Sequence, residues 1–177
     1  MPSGSRTSPF LLDVKPMARR DIDAPVTLSI LDRLTDKDPK TKAESPPSRS
    51  QAMRMLRDGL RRDLEWLLNT RRTPEEVGEE YPELARSLYN YGLPDIGSFS
   101  AKNPQDHVRL RRALEAAIAS FEPRLLATRV SMETVAALVK GVRFQIQGLL
   151  RIDPSPEHVS FDTVLELPAG EFEVRGD

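Results

Sequence analysis

Residues 121–132 read Phe121-Glu122-Pro123-Arg124-Leu125-Leu126-Ala127-Thr128-Arg129-Val130-Ser131-Met132, and within them the period of the chain changes. Before this junction Leu110, Leu114, Ala117, Ile118 and Phe121 recur at helical spacing, as the apolar face of a helix does. After it Leu126, Thr128, Val130 and Met132 alternate with Ala127, Arg129 and Ser131, the pattern of a half-buried strand. Pro123 forces the break, because a proline disfavours helical geometry at the residue before it. A chain that is helical on one side of such a junction and stranded on the other is predicted to be α+β.

Both flanks extend this reading. Asn103-Pro104 supplies a cap and a first-turn proline for the helix that ends at Phe121. Further upstream, Ser48 and Gln51 have the spacing of a capping box, and Met53, Leu56, Leu60, Leu64 and Leu67 form the stripe of a long helix. Arg54 with Asp58, Asp58 with Arg62, and Arg61 with Glu65 are candidate i,i+4 pairs, and Asn69 is read as a left-handed stop. Thr73-Pro74-Glu75-Glu76 starts a short helix at most, since Gly78 follows. Pro82 opens another through Leu84 and Leu88 to Tyr91, with Gly92 as its cap. Downstream, Val142, Phe144 and Ile146 alternate with polar residues, as do Val159, Phe161, Thr163 and Leu165. A turn at Pro168-Ala169-Gly170 leads to Phe172 and Val174. Amino-terminal helices packed on one face of a small, mostly antiparallel carboxy-terminal sheet are the predicted architecture.

Composition sets the limits. Seven of the 15 prolines fall in the first 50 residues, so residues 1–47 are expected to be a flexible tail and 48–177 a single α+β domain. One island, residues 28–34, places Leu28, Leu31 and Leu34 at helical spacing; it reads either as a docking peptide or as a segment packed on its own domain. The absence of cysteine excludes disulfides, thiolate chemistry and sulfur-ligated zinc, and two histidines are too few for a histidine metal centre. A net charge of −1 gives no bulk case for nucleic acid, and no apolar run approaches a membrane span. With no signal-peptide stretch, the expectation is a soluble, cytoplasmic protein. The charges are nevertheless unevenly placed. Arg54, Arg57, Arg61, Arg62, Arg71 and Arg72 crowd 51–72, whereas seven acids face Arg175 alone over 153–177. Either the surface is bipolar and meets neighbours on opposite sides, or two solvated faces differ in sign.

Chemistry is sparse. There is no G-x-S-x-G, no phosphate-cradling glycine loop and no H-E-x-x-H; His107 falls in a first helical turn and His158 just before a strand. Glu122 invites a glycosidase reading, but Arg124 beside it favours the ionised carboxylate, and the sequence identifies no second carboxylate as its partner. The Glu122-Pro123-Arg124 junction instead presents opposite charges on a backbone that proline stiffens. It is either an internal bridge clamping helix to strand or a surface for a partner.

Several blocks resemble one family. Arg62-Asp63-Leu64-Glu65-Trp66-Leu67-Leu68-Asn69-Thr70-Arg71 is similar to the signature of TssE, the baseplate subunit family of type VI secretion. So are Tyr89-Asn90-Tyr91-Gly92-Leu93-Pro94-Asp95, Phe121-Glu122-Pro123-Arg124-Leu125 and the island Leu31-Asp32-Arg33-Leu34-Thr35-Asp36. The wider family includes a baseplate wedge protein of contractile phages. The resemblance implies a structural, non-enzymatic protein of the bacterial cytoplasm, at the inner-membrane-docked baseplate. It would join the TssF–TssG wedge core to the TssB–TssC sheath, with TssK as a further candidate partner. It implies no cofactor, metal, nucleic acid, small-molecule substrate or membrane insertion. By the same resemblance Glu122, Pro123 and Arg124 bind the wedge core, with Arg124 pointing outward, and a sheet edge at the last strand, through Val174, seeds the sheath. A stress-response anti-adaptor of the same fold is the alternative, and a lysozyme-like muralytic enzyme a weaker one.

Overall fold

The computed structural model describes residues 28–35, 47–75, 77–97, 99–100, 103–133, 141–166 and 170–176. Most of 1–47, where the flexible tail is expected, lies outside the described residues, as do Pro168 and Ala169 of the expected turn.

The long helix α2, Arg49–Asn69, starts at a complete capping box. The Ser48 hydroxyl accepts from the Gln51 backbone N–H, and the Gln51 side chain accepts from the Ser48 N–H. Its buried face is Leu56, Leu60, Leu64 and Leu67, joined by Ala52, Gly59 and Leu68. The second long helix, α4, spans Pro104–Phe121 and buries Leu110, Leu114, Ala117 and Ile118. Four strands follow: β1 Leu125–Glu133, β2 Gly141–Leu150, β3 Glu157–Glu166 and β4 Glu171–Gly176. They form an all-antiparallel meander in the order β1-β2-β3-β4.

One face of the sheet meets both helices. Val142, Phe144, Ile146, Phe161, Leu165, Phe172 and Val174 join the helix leucines in one core, α4 lying against β1 and α2 against β4. Each such side chain contributes about 1.5–3 kcal/mol by leaving water, so this seam holds the domain together. The α+β expectation, with helices on one sheet face, describes the molecule.

Local expectations fare unevenly, each for a physical reason. Leu126 is exposed and Leu125 buried, because a bulge between Leu126 and Arg129, with Ala127 at φ 51°, resets the alternation. No helix forms at Thr73 and Pro74, and the helix expected from Pro82 to Tyr91 is a four-residue α3, Pro82–Ala85, then a 3-10 turn, Leu88–Asn90. His158 lies within β3 rather than before it. Of the three expected i,i+4 pairs only Arg61–Glu65 forms, at 3.3 Å. Other arginines of the cluster turn elsewhere: Arg57 of α2 pairs with Glu157, and Arg71, just beyond α2, donates through Nη2 to Gly170 O at 2.7 Å. Arg61 Nη1 also reaches Val174 O, at 3.3 Å. These three basic side chains therefore face the acidic carboxy-terminal segment instead of an opposite surface.

Asn69 is the last residue of α2, not a left-handed stop; the cap after it, Thr70, is extended. Its amide behaves as a strand surrogate, Nδ2 donating to Phe172 O at 2.8 Å and Oδ1 accepting from Phe172 N–H at 2.7 Å. With Arg61 it occupies backbone groups of the last strand, while Arg71 holds Gly170 just before it, the kind of cover that edge strands need. Among the described residues the β3–β4 ladder runs from Glu166 and Glu171 to Phe161 and Gly176, and β3 pairs with β2 along its whole length.

Thr163 stands in the core face of β3, fully buried, and its hydroxyl has no hydrogen-bond partner among the described residues. Thr163→Val, which removes that unpaired group at nearly constant shape, is expected to raise unfolding free energy by about 1 kcal/mol in urea melts. An unchanged or lowered midpoint would show that the hydroxyl is satisfied in solution.

Candidate functional site

Glu122 closes α4 with its N–H on Ile118 O, and its side chain ends inside the protein, with the residue 5% exposed. A buried carboxylate is costly unless it is paired. Arg124 meets the need with a planar fork: Nε donates to Oε1 and Nη2 to Oε2, both at 2.6 Å. The same Nη2 donates to Asp63 Oδ2 on α2, again at 2.6 Å. The Arg124 side chain is thus folded back across the turn at Pro123 and is 25% exposed. The expectation that it points outward is corrected, because the buried Glu122 charge holds it. Its bonds are those of an internal clamp tying α4 and β1 to α2.

The chain of charges continues. Arg62 Nε and Nη2 donate to Asp63 Oδ1 at 3.0 and 2.9 Å, and Arg62 Nη1 donates to Asp32 Oδ1 at 2.8 Å. Asp32 lies in α1, Ile30–Leu34, and accepts the Ser29 hydroxyl at 2.5 Å, while Ser29 Oγ caps the helix by accepting from Asp32 N–H. Glu122, Arg124, Asp63, Arg62 and Asp32 therefore alternate in sign from the helix–strand junction to the amino-terminal island. Gly59 makes the last step sterically feasible, since a Cβ there would lie 2.7 Å from Asp32 Oδ2. Leu28 packs on the core, so the island is seated on its own domain, while Ile30 and Leu34 stay exposed.

Beside this ladder opens a groove of about 380 Å³, walled by Leu31, Trp66, Tyr91, Phe121 and Pro123 and by the charged Asp63, Glu122 and Arg124. Arg62 lies over the Trp66 ring, 5.2 Å from its centroid, and Trp66 is 54% exposed. Tyr91 meets Phe121 edge to face at 5.3 Å. The four sequence blocks that stood apart in the chain, around residues 31–36, 62–71, 89–95 and 121–125, all contribute to this one place.

The hydrogen bonds and charge of Glu122, with Asp63 adding to them, raise the Arg124 pKa above its ordinary value against the pull of burial. Burial pulls Asp32 upward. Hydrogen bonds from Ser29 and Arg62 and the charges of Arg62 and Arg124 outweigh it, holding the carboxyl below its ordinary 3.8. Burial, then the charges of Asp63 and Glu122, raise Tyr91. The second carboxylate near Glu122 is Asp63, and one guanidinium bridges the two. A general acid needs an apolar pocket or a like charge beside it instead of a shared arginine.

Asp63, Arg62 and Asp32 escaped sequence reasoning as partners of Glu122-Pro123-Arg124. One signal was present: Asp63 is three residues after Leu60 and four before Leu67, a polar residue on the flank of the apolar stripe.

The lowered Asp32 pKa has a consequence. A group whose folded pKa is depressed contributes stability above its unfolded value, and that contribution is lost as pH falls through the folded one. As pH falls below the ordinary carboxyl value of 3.8, α1 is expected to leave α2 before the domain unfolds. The single tryptophan, Trp66, shares the groove with Leu31 and reports it, so its emission should change ahead of the far-UV circular dichroism. Asp32→Asn should remove that early step; an emission change only in step with global unfolding would contradict the expectation.

No helix among the described residues is long and apolar enough to cross a membrane. No group of acidic or histidine side chains that could hold a metal ion is found among them. Comparison with curated proteins and with solved structures yields no match. The sequence profile of the family described as baseplate wedge protein gp25 matches residues 54–155, from early α2 to just beyond β2, and so includes Asp63, Trp66, Tyr91 and Glu122-Pro123-Arg124. The chain belongs to the baseplate wedge protein gp25 family.

Proposed function

We propose that this protein is a TssE-type structural subunit of the type VI secretion baseplate, attached to the TssF–TssG wedge core through the groove at Glu122, Pro123 and Arg124. The observation that carries the reading is the convergence of four separate sequence blocks on one partly apolar groove with an ion ladder through it. Exposed Trp66 and Pro123 beside a preorganised arginine have the makeup of an interface hot spot. In this reading the clamp and the interface are one device: Arg124 is fixed from within so that the turn it spans keeps its shape. Residues 48–177 are the folded unit, and the island at 28–34 completes one wall of the groove. TssK is a further candidate partner. The role is structural rather than catalytic, on the cytoplasmic side of the inner membrane.

Contact with the TssB–TssC sheath, through a strand added at the sheet edge, belongs to the same proposal. Side chains of Asn69 and Arg61 take backbone groups of the last strand, so strand addition at Val174 would have to displace them. The experiment is co-expression with TssF and TssG, followed by size-exclusion chromatography. Co-elution in a stable complex is expected. Absence of that complex, with capture by a proteolysis adaptor instead, would favour the anti-adaptor alternative.

A further inference from the structure

Between Arg71 and Leu93 the chain leaves the core and returns to it at one neck. Arg71 and Leu93 form a parallel bridge; Leu93 N–H donates to Thr70 O at 2.8 Å and Arg72 N–H to Leu93 O at 2.9 Å. A pinched loop longer than about 15 residues inside a compact domain is usually functional. Its outer part buries nothing: neither α3 nor the 3-10 turn has a buried residue. Tyr81, Leu84 and Leu88, spaced three and then four apart, are all exposed, Leu88 to 80%. The loop is nonetheless held in shape from within. The Ser87 hydroxyl donates to Leu84 O at 2.8 Å, Asn90 Nδ2 to Ala85 O at 2.9 Å, and the Tyr89 hydroxyl to Glu75 at 3.3 Å.

Exposed large apolar side chains with a charged rim mark an interaction surface. Here the rim has one sign. From Pro74 to Asn90 the chain carries Glu75, Glu76, Glu79, Glu80 and Glu83 against Arg86 alone. The described glutamates among them are exposed. Charge complementarity then selects the occupant: such a rim repels an anionic lipid surface and steers a cationic partner. We propose that this loop docks a basic segment of a partner protein that also carries an apolar face, as an amphipathic Lys/Leu helix does. The apolar face covers Tyr81, Leu84 and Leu88 while the lysines or arginines meet the glutamates. This surface shares no residue with the groove at Glu122, so either can fail without the other.

The test uses the full chain, isotope-labelled, with two synthetic 18-residue helical peptides that share a leucine face but carry lysine or glutamate opposite. The lysine peptide is expected to bind at least tenfold tighter, with amide shifts confined to residues 74–90. Its affinity should fall severalfold on moving from low to physiological salt, as rim charges are screened. Leu88→Ser and Tyr81→Ser, at exposed positions that leave the fold intact, should each weaken it by tenfold or more. Equal binding of the two peptides, shifts mapping elsewhere, or full affinity in both variants would overturn the proposal. So would peptide-free, concentration-dependent shifts at 81–89, which would give the surface to a second copy of the chain.

Discussion

Arg124→Ala is expected to lower the unfolding free energy by about 3–5 kcal/mol, the cost of leaving a buried charge without its partner. Glu122 is the buried charge, and both its oxygens take short hydrogen bonds from Arg124. Asp63 is less exposed to the loss, because Arg62 still holds its other oxygen. Arg124→Lys keeps a positive charge but loses the planar fork, so an intermediate loss is expected. The double variant Glu122→Gln/Arg124→Ala should recover much of the damage, since an amide costs less to bury than an unpaired carboxylate; the cycle then reads the coupling directly. Urea melts of the wild type, Arg124→Ala, Arg124→Lys, Glu122→Gln and the double variant make the measurement. A loss within about 1 kcal/mol for Arg124→Ala, the scale of ordinary surface substitutions, would show that water reaches Glu122.

The second large effect is expected at Gly92. Its φ of 106° suits glycine alone, and a Cβ there would lie 2.4 Å from the Thr70 carbonyl oxygen, a backbone atom that cannot swing aside. Strain of this kind costs about 1–3 kcal/mol before any clash is relieved. Relief would pull apart the neck, where Leu93 is fully buried and Tyr91 packs on Phe121. Gly92→Ala should therefore destabilise by about 3 kcal/mol or more and loosen the 74–90 loop, read as faster amide exchange there. Gly97→Ala is the control, because its nearest neighbour at 3.3 Å is the side-chain carboxylate of Asp95, which can move. Equal stability of the two variants would contradict the role assigned to the neck.

Periodicity carried most of the fold. The change from helical to alternating spacing at Phe121 located the end of α4 and the start of β1, and Val142, Phe144 and Ile146 predicted the buried face of β2. It failed at Leu126, because one bulged residue moves every later side chain to the other face and leaves no mark in the spacing. It failed again at Asn69, whose amide meets a strand more than a hundred residues away. The site was half legible. The local pattern of opposite charges around a proline at the helix-to-strand junction singled out Glu122-Pro123-Arg124, but the direction of Arg124 depends on how deeply Glu122 is buried and on Asp63, which only the folded chain brings near. Gly59 shows the same limit: it looks like a weak point in a helix until Asp32 is seen against it.

Attachment through the groove is tested most directly by the affinity of a reconstituted TssF–TssG complex for the wild-type chain and for Trp66→Ser, with a urea melt of each. Trp66 is the most exposed of the groove's aromatic side chains, so its removal should leave stability within about 1 kcal/mol, the stacking of Arg62 included. The account predicts that the wild type binds and that Trp66→Ser binds at least tenfold more weakly, a loss of about 1.4 kcal/mol or more. Wild-type affinity in a folded Trp66→Ser protein, or no binding by the wild type, would contradict it.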